Sequence, residues 1–163
     1  MPGSLHESDV DGWHPTVRRI HDYWCSIHPQ IGLPGRQHID PLEIPTDLLP
    51  NIWLLDIQQE PLRAKYRLVG TGIVRAIGHD FTGHWLDETD TYAPAQYLVA
   101  QATIRKVVES HRLVWSKGSS SLQGQHDHQE AEVIRLPLAS DGATVDVILN
   151  YAIFYNVDGS RRY

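Results

Sequence analysis

The order in which helical and strand-like hydrophobic patterns follow one another constrains the fold of this chain more than any other feature of its sequence. One helical pattern near the N-terminus precedes two strand patterns, several short helical turns, one long helical pattern and three further strand patterns. Strands in this order, with helices inserted after the second strand, can pair into a curved antiparallel sheet that carries helices across one face. The sequence therefore predicts an α+β fold with a five-stranded sheet and an additional N-terminal helix.

The strand patterns are short runs of alternating or continuous apolar residues bounded by turn-forming residues. The long helix between them is predicted over 90–110, where Pro94 suits the first turn. The dipeptide Asp141-Gly142 predicts a tight turn before the last strand. We predict strands over 51–57, 64–69, 112–117, 130–137 and 145–155.

An apolar stripe marks the N-terminal helix, which we predict over 13–29. Two interpretations of the stripe stay open because its pattern fits both: packing on the core of the same chain, or a seam between two copies. Around a single domain at 13–155 we expect a flexible start at 1–12 and a flexible tail at 156–163. The side chains of the stripe are Trp13, Val17, Ile20, Trp24 and Ile27.

Charge and cysteine content narrow the function classes. The 163 residues carry 14 Lys and Arg against 20 Asp and Glu, a net charge of −6 with His neutral, which argues against nucleic acid or an anionic membrane as the main partner. Cys25 is the single cysteine and cannot form an intrachain disulfide, which favours a reducing compartment. Because we find neither a secretory signal pattern nor an apolar run near the ~20 residues that cross a bilayer, we expect a cytoplasmic protein.

Several short motifs occur in a fixed order between the N-terminal helix and the last strand. They are LPGR at 33–36, DP at 40–41, LLD at 54–56, YRLVGT at 66–71, GHD at 78–80, TG at 82–83, LPL at 136–138 and DG at 141–142. In these motifs the chain resembles the PAS domain family, and in particular a subfamily of small, often stand-alone PAS proteins of alphaproteobacteria. The resemblance extends from Trp13 to Tyr155 and implies a sensory or regulatory domain with a PAS-like sheet.

The glycines and arginines of these motifs have simple physical roles. Gly70, Gly78 and Gly83 are expected to adopt positive φ where a strand turns into a helix and where the short helices break. Arg36 and Arg67 are expected to pin the proline-rich loop to the sheet by pairing with nearby carboxylates, for which the candidates are Asp40, Asp56 and Asp80.

A PAS-like sheet with helices across it implies a pocket between the two layers. Large side chains would line this pocket, unless they fill the core and leave no cavity, which their number and size also allow. The lining candidates are Trp53, Tyr66, Leu68, Tyr97, Ile104, Trp115, Ile134, Leu149 and Tyr151. A contact surface for a homodimer or for a signalling partner is predicted on the N-terminal helix and on the outer sheet face, at Lys65, Arg67, Asp146, Asn150 and Ala152.

The sequence requires no cofactor. Light-sensing PAS relatives carry a cysteine after the second strand, and the segment 70–83 has none, so the resemblance does not imply a flavin. Haem-binding relatives use a histidine of the long helix or its neighbourhood, for which His111 is the candidate here. His126, His128 and Glu130 alternate as metal ligands can, but they follow a polar linker, and we interpret them as an adventitious set and not as a metal site.

The motifs also argue against an enzyme. The sequence contains no nucleophile elbow, phosphate-binding loop, dinucleotide fingerprint or zinc-protease motif. His79, Asp80 and His84 could form an acid–base group, although Asp80 also suits the cap of a short helical turn. We expect a regulatory domain that binds a protein partner and is tuned by a small ligand. The alternatives are a small α+β enzyme with a cone-shaped pocket, like the ketosteroid isomerases, and a haem-binding PAS sensor.

Overall fold

The computed structural model describes residues 11–90, 92, 94–119, 128–156 and 158–161. Most of the predicted flexible start lies outside these residues, as do 157, 162 and 163 of the predicted tail. The helices are α1 (Pro15–Ser26), α2 (Thr71–Ile77) and α3 (Pro94–Ser110), with 3-10 turns at Arg36–His38, Leu49–Asn51 and Leu86–Glu88. The strands are β1 (Ile52–Gln58), β2 (Arg63–Val69), β3 (Val114–Ser119), β4 (His128–Leu138) and β5 (Val147–Asn156).

All neighbouring strands pair antiparallel in a single five-stranded sheet with the order β2-β1-β5-β4-β3. The last strand in the sequence, β5, therefore lies in the centre, between β1 and β4. Its position explains why it is apolar along most of its length, since a central strand covered on both sides exposes neither row of side chains. The predicted α+β fold is confirmed, including the N-terminal helix.

Each face of the sheet carries its own apolar core. Successive side chains of β5 point to opposite faces: Tyr151 packs in a core with α1, whereas Phe154 packs in a core with α2 and α3. We call these two sides the α1 face and the α3 face. The predicted outer face is therefore wrong for Asn150 and Ala152, which are 0% and 1% exposed, because helices cover the sheet from both sides.

Helix α1 lies against the sheet of its own chain. Pro15 occupies the first turn, and the Nδ1 atom of His14 accepts a hydrogen bond from the backbone N–H of Thr16, which caps the helix. The apolar stripe faces β4 and β5. Of its five side chains, Ile27 is partly buried, and the four that are fully buried are Trp13, Val17, Ile20 and Trp24.

The outer edge of β2 is occupied by the segment 83–85. The backbone N–H of Tyr66 donates to the carbonyl oxygen of His84 at 2.9 Å, and the N–H of Gly83 donates to the carbonyl oxygen of Tyr66 at 2.7 Å. Trp85 adds a bridge to Lys65, and its ring lies under the Arg63 guanidinium at 4.1 Å. The backbone of β2 is thus paired on both sides along part of its length.

Two of the three predicted positive-φ glycines are confirmed. Gly78 and Gly83 both have φ of +88°, and Gly78 ends α2 in the left-handed conformation. The prediction is wrong for Gly70, whose φ is −66°. A side chain there would collide with the carbonyl oxygen of Pro50, so close packing against the preceding turn requires the glycine.

Candidate functional site

The sheet divides the residues that were predicted to line one pocket. Trp53, Tyr66 and Ile104 are buried on the α3 face, and the partly buried Tyr97 packs against them. Four others are buried on the α1 face and cannot reach the same cavity: Trp115, Ile134, Leu149 and Tyr151. The single predicted pocket is therefore wrong, because strand alternation shows which residues share a face but not that both faces are covered.

Leu68 was also predicted to face inward, and this is wrong. It pairs with Leu54, whose side chain belongs to the core on the α1 face. However, β2 lies at the edge of the sheet, while α1 crosses β4 and β5. Leu68 is 47% exposed because no helix among the described residues covers this corner of the sheet.

A buried carboxylate joins α1 to the sheet. Glu132 on β4 is 1% exposed, and its Oε2 atom accepts hydrogen bonds from the backbone N–H of His14 at 2.9 Å and from the indole N–H of Trp115 at 3.2 Å. The hydroxyl of Tyr155 donates to Oε1 at 2.9 Å. Donors from the start of α1, from β3 and from β5 therefore meet at one side chain. We call Glu132 and these three donors the carboxylate junction.

Aromatic contacts reinforce the carboxylate junction. The rings of Trp13 and Trp115 stack with centroids 6.1 Å apart, and the indole N–H of Trp24 donates to the carbonyl oxygen of Pro137 at 3.0 Å. Both ends of α1 are thus held to β3 and β4 by directional contacts in addition to apolar packing. These directional contacts fix the position of the helix on the sheet more narrowly than apolar burial alone does.

Burial shifts the pKa values of two members of the carboxylate junction in opposite directions. Burial, followed by the hydrogen bond to Glu132, raises the pKa of Tyr155 well above its usual range, so its hydroxyl keeps the proton that it donates. Burial and the nearby Arg161 lower the pKa of His14, which keeps its ring neutral and its Nδ1 atom able to accept. Glu132 was not predicted from the sequence, although it shares its strand face with Ile134 and Leu136, and that alternation was the available signal.

A second polar group lies on the α3 face. Trp53, Asn150, Arg135 and Val114 are directly paired across β1, β5, β4 and β3, and so form one row. Arg135 donates from Nη1 to Oδ1 of Asn150 at 3.0 Å, and its guanidinium lies 6.0 Å from the ring centre of Trp53. Asn150 is fully buried, whereas Arg135 is partly buried. We call Arg135 and Asn150 the guanidinium pair.

The candidate for haem binding and the candidates for an acid–base group lie at the surface. His111 follows α3 with φ of 59° and is exposed, not turned into the core. His79 and His84 are exposed as well. Asp80 accepts hydrogen bonds from the hydroxyl and the backbone N–H of Thr82, which lower its pKa. These bonds hold a turn at 82–83 that is not part of a helix.

The side chains of two of the three weak metal candidates fall outside the part of the chain that the structure describes. No group of three metal-binding side chains occurs among the described residues. Glu130 is exposed, while His126 and the side chain of His128 lie outside the described part of the chain. The alternating histidines therefore stay an untested pattern.

Arg67 makes one of the predicted ion pairs, but this pair joins β2 to β1 and does not pin the proline-rich loop to the sheet. Arg67 pairs with Asp56 across β2 and β1, with 2.9 Å between Nη1 and Oδ1. Arg36 is exposed, and within the described ranges no carboxylate lies within 4.0 Å of it.

Two other residues of the predicted contact surface take part in contacts within the chain. The ammonium group of Lys65 lies near the ring of Trp85, and the carboxylate of Asp146 accepts a hydrogen bond from the hydroxyl of Ser140.

No helix in the described part of the chain combines the length and the apolar character that a bilayer crossing requires.

The fold is an antiparallel α+β sheet with helices inserted after its second strand, which defines the class of small sensory folds that the motifs indicated. A family model of the PAS domain matches residues 13–152, and the chain belongs to that family. No curated protein matches the chain. Family and fold together support a sensory or regulatory domain, while the finer placement in an alphaproteobacterial subfamily stays a prediction.

Proposed function

We propose that this PAS domain is a cytoplasmic regulatory module and not an enzyme. It acts by contact with a second copy or with another signalling protein, and a small ligand on the α3 face tunes that contact. The observation that supports this proposal most directly is the carboxylate junction, through which one side chain of β4 sets the position of α1.

The energetics of the junction favour a positional role for Glu132. Transferring a carboxylate from water to a site that is 1% exposed is costly, and well-packed apolar residues often give equal or greater stability in such places. Three donors from separate elements offset this cost, and one of them, the backbone N–H of His14, is supplied only while α1 occupies its present position. The junction therefore makes the helix position depend on the geometry of β3, β4 and β5.

The outward side of α1 offers the contact surface. With the apolar stripe buried, the predicted seam of tryptophans and aliphatic residues is not accessible in this arrangement. The side chains that remain exposed on α1 include Arg19, Asp22 and Cys25. A partner whose binding depends on the position of α1 would contact this polar side. A change at the carboxylate junction would then alter the contact between α1 and the partner without exposing the core.

The enzyme alternative requires an acid–base pair that faces a cavity. Glu132 is already bonded by three structural donors, and the guanidinium pair consists of an arginine and an amide, which are not the usual acid–base groups. The haem alternative requires an inward histidine, and His111 is exposed. These observations favour the regulatory proposal over both.

The proposal is tested by native mass spectrometry and sedimentation of the protein isolated from its own cells. The variant Glu132→Gln weakens the junction, and Glu130→Gln serves as the matched control because Glu130 is an exposed carboxylate on the same strand. We expect the wild type and the control to carry a second copy or a protein partner, and Glu132→Gln to lose it or to change its stoichiometry. Hydrogen exchange of α1 should accelerate in Glu132→Gln alone.

A strictly monomeric, partner-free wild type at high concentration would contradict the regulatory proposal. An unchanged assembly in Glu132→Gln, despite faster hydrogen exchange in α1, would show that partner binding does not depend on the position of the helix.

A further inference from the structure

Among the described residues, the guanidinium of Arg135 has no countercharge on the α3 face. Arginine is rarely buried unless it is paired with an anion. Within the described ranges, no carboxylate oxygen lies within 4.0 Å of this guanidinium, and its hydrogen-bond partner there is the neutral amide of Asn150. A partly buried cation next to an apolar core is therefore only partly satisfied.

Asn150 holds this cation in a fixed orientation. Its Nδ2 atom donates to the carbonyl oxygen of Ile148 at 3.1 Å and to that of Trp53 at 3.3 Å. These two bonds leave Oδ1 as the acceptor for Arg135 at 3.0 Å. A guanidinium has five N–H donors, so most remain available after this single bond. The arrangement orients the group without neutralising it.

The surroundings restrict which ligand can complete the site. The side chains around the row on the α3 face are aromatic and aliphatic, and the ring of Trp53 lies 6.0 Å from the guanidinium. One arginine supplies one positive charge, and its planar fork matches the two oxygens of a carboxylate. A dianion would bring a second charge into apolar surroundings, which is costly without a second cation. A monoanion with an apolar body avoids this cost.

We propose that Arg135 binds the carboxylate of a small monocarboxylic acid whose apolar body packs on the α3 face beside Trp53. This inference rests on the proposed regulatory function, because it names the class of ligand that tunes the domain. Arg135 and Glu132 lie three residues apart on β4 and point to opposite faces, so a ligand that engages one side of this strand acts next to the carboxylate junction on the other.

Isothermal titration calorimetry and thermal unfolding with hexanoate and benzoate test the proposal. Hexanol and benzyl alcohol provide uncharged probes, and succinate provides a dianion. We expect at least one monocarboxylate to bind the wild type and to raise its melting temperature, while the alcohols and succinate bind at least about tenfold more weakly, as the loss or mismatch of a charge-assisted pair requires.

The variants Arg135→Gln and Arg135→Lys should weaken monocarboxylate binding by about tenfold or more, because the first loses the charge and the second loses the planar fork. The matched control is Arg105→Gln, at an exposed arginine of α3, which should bind as the wild type does. If Arg135→Gln does not fold, Arg135→Lys and the chemical shift of the Trp53 indole in the wild type on titration give the same information.

Equal binding by wild type and Arg135→Lys, or no binding of any monocarboxylate up to about 10 mM, a concentration well above specific affinities, would overturn the ligand assignment. Native mass spectrometry of the same samples separates this failure from that of the proposed function. An intact assembly without ligand binding would refute the carboxylate site alone, whereas a partner-free monomer that binds the acid would refute the regulatory contact.

Discussion

The two faces of the sheet differ in the burial and the hydrogen bonding of a charged residue of the same strand, β4. On the α1 face, the anionic Glu132 is 1% exposed and accepts hydrogen bonds from three elements. On the α3 face, the cationic Arg135 is partly buried and bonds one neutral amide. The first group is satisfied by the chain itself, while the second still has free donors within the described residues.

This difference favours a structural role for Glu132 and a ligand-binding role for Arg135. A buried charge whose partners are all internal fixes the elements that supply those partners, here the start of α1 against β3 and β5. A charge that keeps free hydrogen-bond donors beside an apolar core can bind an external group that accepts from them, and such binding stabilises the folded state. The comparison predicts that substitutions on the α1 face change mainly stability, whereas those at Arg135 change mainly ligand binding.

Replacing Glu132 with alanine breaks the comparison most severely. The variant leaves three donors without an acceptor in a dry site, and we expect a loss of about 3–5 kcal/mol in the free energy of unfolding. Urea denaturation monitored by tryptophan fluorescence measures it. Glu130→Ala, at the exposed carboxylate of the same strand, should stay within about 0.5 kcal/mol of the wild type. Similar losses in both variants would contradict the junction.

Replacing Asn150 with alanine should have the next largest effect. The change removes the acceptor of Arg135 and the donor to the carbonyl oxygens of Trp53 and Ile148, so we expect a loss of about 1–3 kcal/mol. Thermal and urea unfolding measure the difference. The control is Asn156→Ala at the end of the same strand, where an exposed hydrogen bond to Ser160 contributes little. A loss no larger than that of the control would show that the guanidinium pair is not structurally coupled.

Lowering the pH should destabilise the protein through His14 on the α1 face. The pKa of His14 is lowered by burial and by Arg161, so below its unfolded pKa of 6.5 the unfolded chain binds a proton that the folded chain resists. Stability should therefore fall as the pH drops below this value and level off once the folded pKa is passed. The protonated ring also loses its capping acceptor, which contributes about 1 kcal/mol. The other charges acting on His14 are Glu132, which opposes the shift, and Lys117, which adds to it.

The matched variant for this prediction is His14→Asn, which keeps a capping acceptor but does not titrate. Urea unfolding of both proteins between pH 5 and 8 should show a smaller pH dependence in the variant. Parallel curves for the two proteins would mean that other histidines cause the effect.

The smallest expected effect is at Leu68, which alternation assigned to the interior and which is 47% exposed. Leu68→Gln should change the free energy of unfolding by no more than about 0.5 kcal/mol. Tyr66→Ala, two residues earlier on the same strand and 3% exposed, should cost several times more, about 3 kcal/mol. Urea midpoints of the two variants compare the buried and exposed positions directly, and a large loss for Leu68→Gln would place it in the core after all.

Periodicity was sufficient to predict the element order, the strands and the α+β class, because helix and strand repeats are local properties. It could not show which helix covers each row of β5 side chains, since this depends on where α1 packs on the sheet. For that reason Asn150 was placed on an outer face, and Tyr151 in a pocket together with Trp53. Alternation along β4 places Glu132 among inward-facing residues, but its role in the carboxylate junction depends on donors from distant segments, which the sequence does not place beside it.

The segment that occupies the edge of β2 also bears on how copies of this sheet can join. The backbone groups of Tyr66 are bonded to 83 and 84, whereas β3 forms the opposite edge of the sheet. Among the described residues, β3 pairs with β4 on one side alone. Two molecules can join through their β3 edges, and the joined pair then presents at each end a β2 edge that is occupied along part of its length. Strand-by-strand growth into a fibre would require the displacement of the segment around His84.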